Sequence, residues 1–198
     1  MRTKLFTLFA VTILASLSMG LMLGADNNAA AATPVQDTLS VNYFTNANTA
    51  GAPDGTVELT NPGTSGGSVC ANIYVFYPDE EMTECCACSL SPDGLRTLSI
   101  NSDLTSNPLV GVKATIGLIK IVSSSYPCGN GTAIVPTPSV RAWGTHILGL
   151  STEGYAITEG EFQSASLSNK EISSLEAGCS AIQSVGSGHG ICGCGVGE

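Results

Sequence analysis

An antiparallel β-sandwich of about seven short strands, closed by one C-terminal α-helix and stapled by disulfides, is the fold this sequence predicts. Three observations predict it. Short runs of β-branched and aromatic residues recur from Leu39 to Leu150, separated by Gly, Pro, Asn and Asp, the pattern of a chain that repeatedly turns back on itself. One segment after Ser168 changes to an apolar spacing of three and four, which is helical. Eight cysteines, an even number, follow a leader of the export type, and outside the cytosol thiols close in pairs.

The leader comes first. Arg2 and Lys4 precede an uncharged run from Leu5 to Leu23, and Ala30, Ala31 and Ala32 supply a small-x-small cleavage site. Residues 1-32 therefore read as a signal peptide, cleaved after Ala32. Its removal leaves five basic and 15 acidic residues. The uncleaved alternative is a membrane anchor, since this run is just long enough to span.

Residues 33-160 are read as the β-sandwich domain. Leu39, Val41 and Tyr43 alternate with Ser40, Asn42 and Phe44, and Val57 and Leu59 alternate with Thr56, Glu58 and Thr60. With the Ala52-Pro53-Asp54-Gly55 turn between them they predict a hairpin or neighbouring strands. Val69 to Tyr77, Met82 to Leu90 and Leu95 to Ile100, joined at Pro78-Asp79-Glu80-Glu81 and Pro92-Asp93-Gly94, predict a three-stranded meander. The second turn places Pro at its second position and Gly where positive φ is needed. Ile116 to Val122 and Val140 to Leu150 add two strands around a Pro- and Gly-rich connection holding Cys128.

Residues 161-198 are read as a helix and a Cys-rich tail packed on the sandwich. Ser168-Asn169-Lys170-Glu171 is a capping box, and Ile172, Leu175, Cys179 and Ile182 form one helical face ending near Val185-Gly186. Gly178 inside the helix costs about 1 kcal/mol relative to Ala. The tail from Gly188 to Gly195 predicts a loop pinned by its cysteines; if Cys179 pairs with Cys192 or Cys194 the helix is stapled to its own tail, but eight cysteines allow 105 pairings and the sequence does not choose among them. The disulfide candidates are Cys70, Cys85, Cys86, Cys88, Cys128, Cys179, Cys192 and Cys194. Adjacent Cys85 and Cys86 point to opposite faces of a strand and so take different partners.

Composition narrows function. Seven Lys+Arg against 16 Asp+Glu give a net charge of −9, with no basic stripe to neutralise phosphates, so nucleic acid is excluded as a partner. At 43% hydrophobic and 12% charged the chain folds rather than staying disordered. No stretch beyond the leader is long and apolar enough to span, so no membrane contact is expected after cleavage. No cofactor is expected.

Each chemical motif has a plainer reading beside it. Cys85, Cys86, Cys88, His189, Cys192 and Cys194 could assemble a Cys/His metal site, but Cys-x-Cys spacing is not the Cys-x2-4-Cys of structural zinc. Cys85 to Cys88 has thiol-redox spacing, yet on a predicted strand beside Glu84, which raises a thiol pKa. Gly63-Thr64-Ser65-Gly66-Gly67 resembles the nucleophile segment of trypsin-like serine proteases over five residues, but His146 and His189 both follow Ser65, and a Gly/Ser loop explains it. Asp79, Glu80, Glu81 and Glu84 lack the ligand spacing of a calcium loop and read as a solvated turn. Trp143 with Tyr74, Tyr77 and Tyr155 could make a sugar-stacking face, or pack as strand residues. His146 reads as a packing residue.

Val69-Cys70-Ala71-Asn72-Ile73-Tyr74-Val75-Phe76, Glu84-Cys85-Cys86-Ala87-Cys88, Pro92-Asp93-Gly94-Leu95-Arg96 and the Gly186-Ser187-Gly188-His189-Gly190-Ile191-Cys192 tail resemble uncharacterised secreted bacterial proteins. The resemblance covers most of the mature chain and implies export, without an activity. The expectation is a secreted, non-catalytic structural or binding module of surface or adhesion type, in the periplasm, on the cell surface or in the medium. A cell-surface protein or a glycan is its expected partner. The alternative is a Cys/His metal-binding or thiol-redox protein.

Overall fold

The computed structural model describes residues 38–129, 133–150 and 154–195; the predicted signal peptide lies outside them. Two antiparallel sheets and one helix make up the fold. The five-stranded sheet has the order β4-β3-β6-β1-β9 and the four-stranded sheet the order β5-β2-β7-β8. The strands are β1 (Leu39–Thr45), β2 (Thr56–Thr60), β3 (Val69–Phe76), β4 (Met82–Leu90), β5 (Leu95–Ser99), β6 (Ile116–Ser125), β7 (Arg141–Gly149), β8 (Tyr155–Glu161) and β9 (Gln163–Ala165), followed by α1 (Asn169–Val185). The predicted sandwich is present, with nine strands among the described residues rather than seven. The two extra strands lie after Tyr155, where polar residues such as Thr158, Glu159 and Gln163 mask the alternation. Strands thus continue past residue 160.

Two hydrophobic layers follow from strand alternation. Val57, Leu59, Leu98 and Ala142 from one sheet meet Ile73, Val75, Ile119 and Ile121 from the other. On the opposite face of the five-stranded sheet, Leu39, Tyr74, Cys85 and Val122 pack under Leu175, Cys179 and Ile182 of α1. Central strand β3 is therefore buried on both faces, and its burial is nearly continuous. The helical face read from the sequence is the one that docks.

The pairing corrects three expectations. β1 and β2 are not hairpin partners, because Asn46 and Asn48 take positive φ and carry the chain across to the other sheet. The meander is also interrupted: β3 and β4 pair, but β5 leaves to pair with β2. In the turn before β5, Gly94 N–H donates to Ser91 O at 3.0 Å, and the positive φ of 60° falls on Asp93, not on Gly94. Gly94 is needed for room, since a Cβ there would lie 2.9 Å from Ser91 O.

The capping box is half formed. Ser168 Oγ accepts from Glu171 N–H at 3.0 Å, while the Glu171 carboxylate accepts from Lys120 Nζ at 2.6 Å instead of turning back. Gly186 ends the helix in the left-handed region, its N–H donating to Gln183 O. Gly178 is explained by packing, because a Cβ there would stand 2.9 Å from Met82 Cε on β4. The missing side chain makes room for Met82 against the helix.

Candidate functional site

β4 is an edge of its sheet, and an open edge invites pairing with other chains. The tail closes it. Cys85 N–H donates to Gly190 O at 2.9 Å and Cys192 N–H to Cys85 O at 3.3 Å, while Gly190 N–H reaches Asn107 O at 2.6 Å. Gly190 has φ 82°, and a Cβ there would meet Ile182 at 2.3 Å, so only glycine lets the tail pass between α1 and β4. Arg96 holds the far end, its Nη1 donating to Cys194 O at 2.6 Å.

All eight cysteines are paired: Cys70–Cys128, Cys85–Cys179, Cys86–Cys192 and Cys88–Cys194. Cys85 and Cys86 take different partners, as strand alternation requires. Cys179 is bonded to Cys85, not to Cys192 or Cys194. The reason is tertiary: α1 lies across the outer face of β4, so Cys179 faces that strand and the tail passes to its side. Cys86 and Cys88 point inward and form a two-rung ladder to Cys192 and Cys194.

Beside this ladder is a cleft of about 550 Å³, lined by Cys86, Cys192, Cys194, Gln183, Ile191 and His189. The sulfurs of Cys86, Cys88 and Cys194 all lie within 4.8 Å of one another. Of the cluster weighed for metal, Cys86, Cys88 and Cys194 are brought together and Cys192 is bonded to Cys86, while Cys85 lies on the opposite face bonded to Cys179 and His189 is outside the triangle; with the cysteines in disulfides it offers no thiolate ligand. His189 Nδ1 is 2.8 Å from Asn107 Oδ1. Asn107 Nδ2 donates to Gly188 O and Ile191 O, which orients its amide so that Oδ1 accepts. Nδ1 therefore carries the proton, and neutral His189 keeps its lone pair on Nε2.

Asp79, Glu80 and Glu81 are in the solvated turn, but Glu84 is not. It shares a face with Cys86 and Cys88 and is fully buried. Its Oε1 accepts from Asn107 N–H at 3.1 Å, whereas Oε2 and the Tyr77 hydroxyl make no hydrogen bond among the described residues. Burial pushes the Glu84 carboxyl up to about 8, against the opposing pull of the Asn107 N–H and Lys113. Burial and then the Glu84 charge also raise the Tyr77 phenol. The signal for Glu84 was present in its strand parity with Cys86 and Cys88, but proximity to three other carboxylates obscured it.

The sugar-stacking aromatics are dispersed. Tyr74 is buried under α1, and Tyr77 lies at the end of β3. Trp143 and Tyr155, on paired β7 and β8, share the outward face of the four-stranded sheet. Register places Thr97, Glu58, Trp143 and Glu161 in one row across all four strands. Thr97 and Glu161 are exposed and Glu58 and Trp143 half-buried; Thr97 Oγ1 donates to Glu58 Oε2. In the next row Thr56 and Thr145 hydroxyls lie 2.9 Å apart. A single indole stands between two carboxylates in this row.

His146 packs on Tyr43 with ring centroids 4.3 Å apart and the planes tilted by 44°; burial lowers its pKa, and its Nδ1 makes no hydrogen bond among the described residues, so it is a packing residue but not the satisfied one the sequence suggests. Ser65 Oγ donates to Gly67 O at 3.1 Å within a turn, so its hydroxyl is used locally. Among the described residues no helix is long and apolar enough to cross a membrane. The four disulfides fit an oxidising compartment. In comparisons with protein-family models, curated proteins and solved structures, the chain has no match.

Proposed function

We infer that this chain is a secreted, non-catalytic binding module that takes a neutral glycan on the outward face of its four-stranded sheet. The observation that carries the reading is the row Thr97, Glu58, Trp143, Glu161. An indole offers a rigid apolar plane for the C–H face of a pyranose. Carboxylates on both sides accept hydroxyl protons in charge-assisted bonds. At about 4.8 Å between strands the row spans about 14 Å, enough for a short oligosaccharide. The acidic face disfavours sulfated or uronic sugars by like-charge repulsion. Rigidity from four disulfides suits preorganised recognition, and resemblance to secreted bacterial proteins supports export.

The test is calorimetry of the mature protein against neutral and acidic oligosaccharides. A neutral glycan is expected to bind, and Trp143→Ala to weaken it at least about tenfold, or about 1.4 kcal/mol, in a variant whose circular dichroism shows it still folded. Binding unchanged by Trp143→Ala, or binding only of acidic glycans, rules this face out.

A further inference from the structure

The disulfide ladder and its cleft form a second site, independent of the glycan face. We propose that the cleft is a thiol–disulfide exchange site for a small-molecule thiol, and that exchange there slips the tail along β4 by one rung. Three observations place the reaction. Both sulfurs of the Cys86–Cys192 bond belong to residues lining the cleft, whereas Cys88 does not. Cys86 Sγ is within 4.8 Å of Cys194 Sγ, so a thiolate released on Cys86 has a second disulfide within reach. His189 lines the same cleft with Nδ1 held by Asn107, leaving Nε2 to take a proton.

The thiolate is the nucleophile in exchange, and an ordinary thiol, with pKa about 8.5, is mostly protonated near neutrality. His189 Nε2 accepts the proton of the incoming thiol. The resulting thiolate bonds to Cys192 Sγ, the Cys86–Cys192 bond breaks, and its electron pair leaves on Cys86. Cys86 thiolate then bonds to Cys194 Sγ, the Cys88–Cys194 bond breaks, and Cys88 thiolate takes the proton back from the imidazolium or from water. The products are a mixed disulfide on Cys192, a Cys86–Cys194 bond and one thiol on Cys88. One thiol enters and one thiol appears, so no net oxidant or reductant is consumed. The cleft volume of about 550 Å³ is in the range of sites that hold small molecules.

Cys70–Cys128 and Cys85–Cys179 serve as internal controls. Cys70, Cys85 and Cys179 are wholly buried; Cys85 also lines the cleft and Cys128 is half-buried, but neither bond has a sulfur in the Cys86, Cys88, Cys194 triangle.

The oxidised mature protein is incubated with reduced glutathione under native conditions, quenched with acid, alkylated and mapped by mass spectrometry. Glutathione is expected on Cys192, the alkyl label on Cys88, and a Cys86–Cys194 cross-linked peptide, with Cys70–Cys128 intact. His189→Gln is expected to slow the reaction about tenfold and to flatten its pH–rate profile, at an unchanged unfolding midpoint. Inertness to glutathione, first modification at Cys70, Cys128 or Cys179, simultaneous appearance of all eight thiols, or a free Cys88 without the Cys86–Cys194 link would each overturn the proposal. A His189→Gln rate equal to wild type removes the imidazole from it.

Discussion

Raising the pH from about 5 to about 9 is expected to destabilise the fold through Glu84 by an amount on the order of 4 kcal/mol at the limit. Burial lifts its carboxyl from 4.5 to about 8. Between those values the folded protein retains a proton that the unfolded chain releases. The unfolded state then binds fewer protons, so stability falls as pH rises through this window. The favourable contribution is complete below about 4.5 and gone above about 8. Glu84→Gln keeps an oxygen to accept the Asn107 N–H and carries no charge at any pH. It is expected to raise the urea midpoint near pH 9 and leave it almost unchanged near pH 5. The difference between the two proteins isolates Glu84 from the general repulsion of an acidic chain. Parallel stability curves for wild type and Glu84→Gln would show that Glu84 is not the titrating group.

Removing the Cys85–Cys179 bond with paired alanines is expected to cost about 4 kcal/mol: it is the disulfide that joins α1 to β4, and with Cys86–Cys192 in place it closes a ring of about 16 residues, worth about 3 kcal/mol in the chain-entropy model. Its sulfurs lie in the buried layer with Tyr74, Leu175 and Ile182, so loss of packing adds to the loss of loop closure. The Cys88–Cys194 bond spans 106 residues yet is expected to cost less, about 2 kcal/mol. Cys86–Cys192 already closes the same long loop, and the second rung then constrains only a ring of a few residues. Urea unfolding of both double mutants under non-reducing conditions compares the two. Equal losses would contradict the nested-loop account.

Local structure was legible where burial was one-sided. Leu175, Cys179 and Ile182 on α1, and Val57 and Leu59 on β2, each show their inner face in the sequence by period alone. β8 and β9 were not legible, since residues such as Thr158, Glu159, Gln163 and Ser164 are exposed and edge strands need no apolar alternation. Of the site residues, opposite partners for Cys85 and Cys86 followed from strand parity. Burial of Glu84 required knowing that its face is the inner one.

By itself the sequence determined the class of fold: short strands, one amphipathic helix, and cysteines whose number and parity demand a disulfide framework. These are properties of neighbours within a few residues, where backbone geometry repeats at 2 or 3.6 residues. Only the tertiary structure decided which strands share a sheet, that Cys179 meets Cys85, that Trp143 stands between Glu58 and Glu161, and that the sulfurs of Cys86, Cys88 and Cys194 converge. Each of those depends on contacts between residues tens of positions apart. Period and composition carry no record of such distances, because the packing of whole layers sets them.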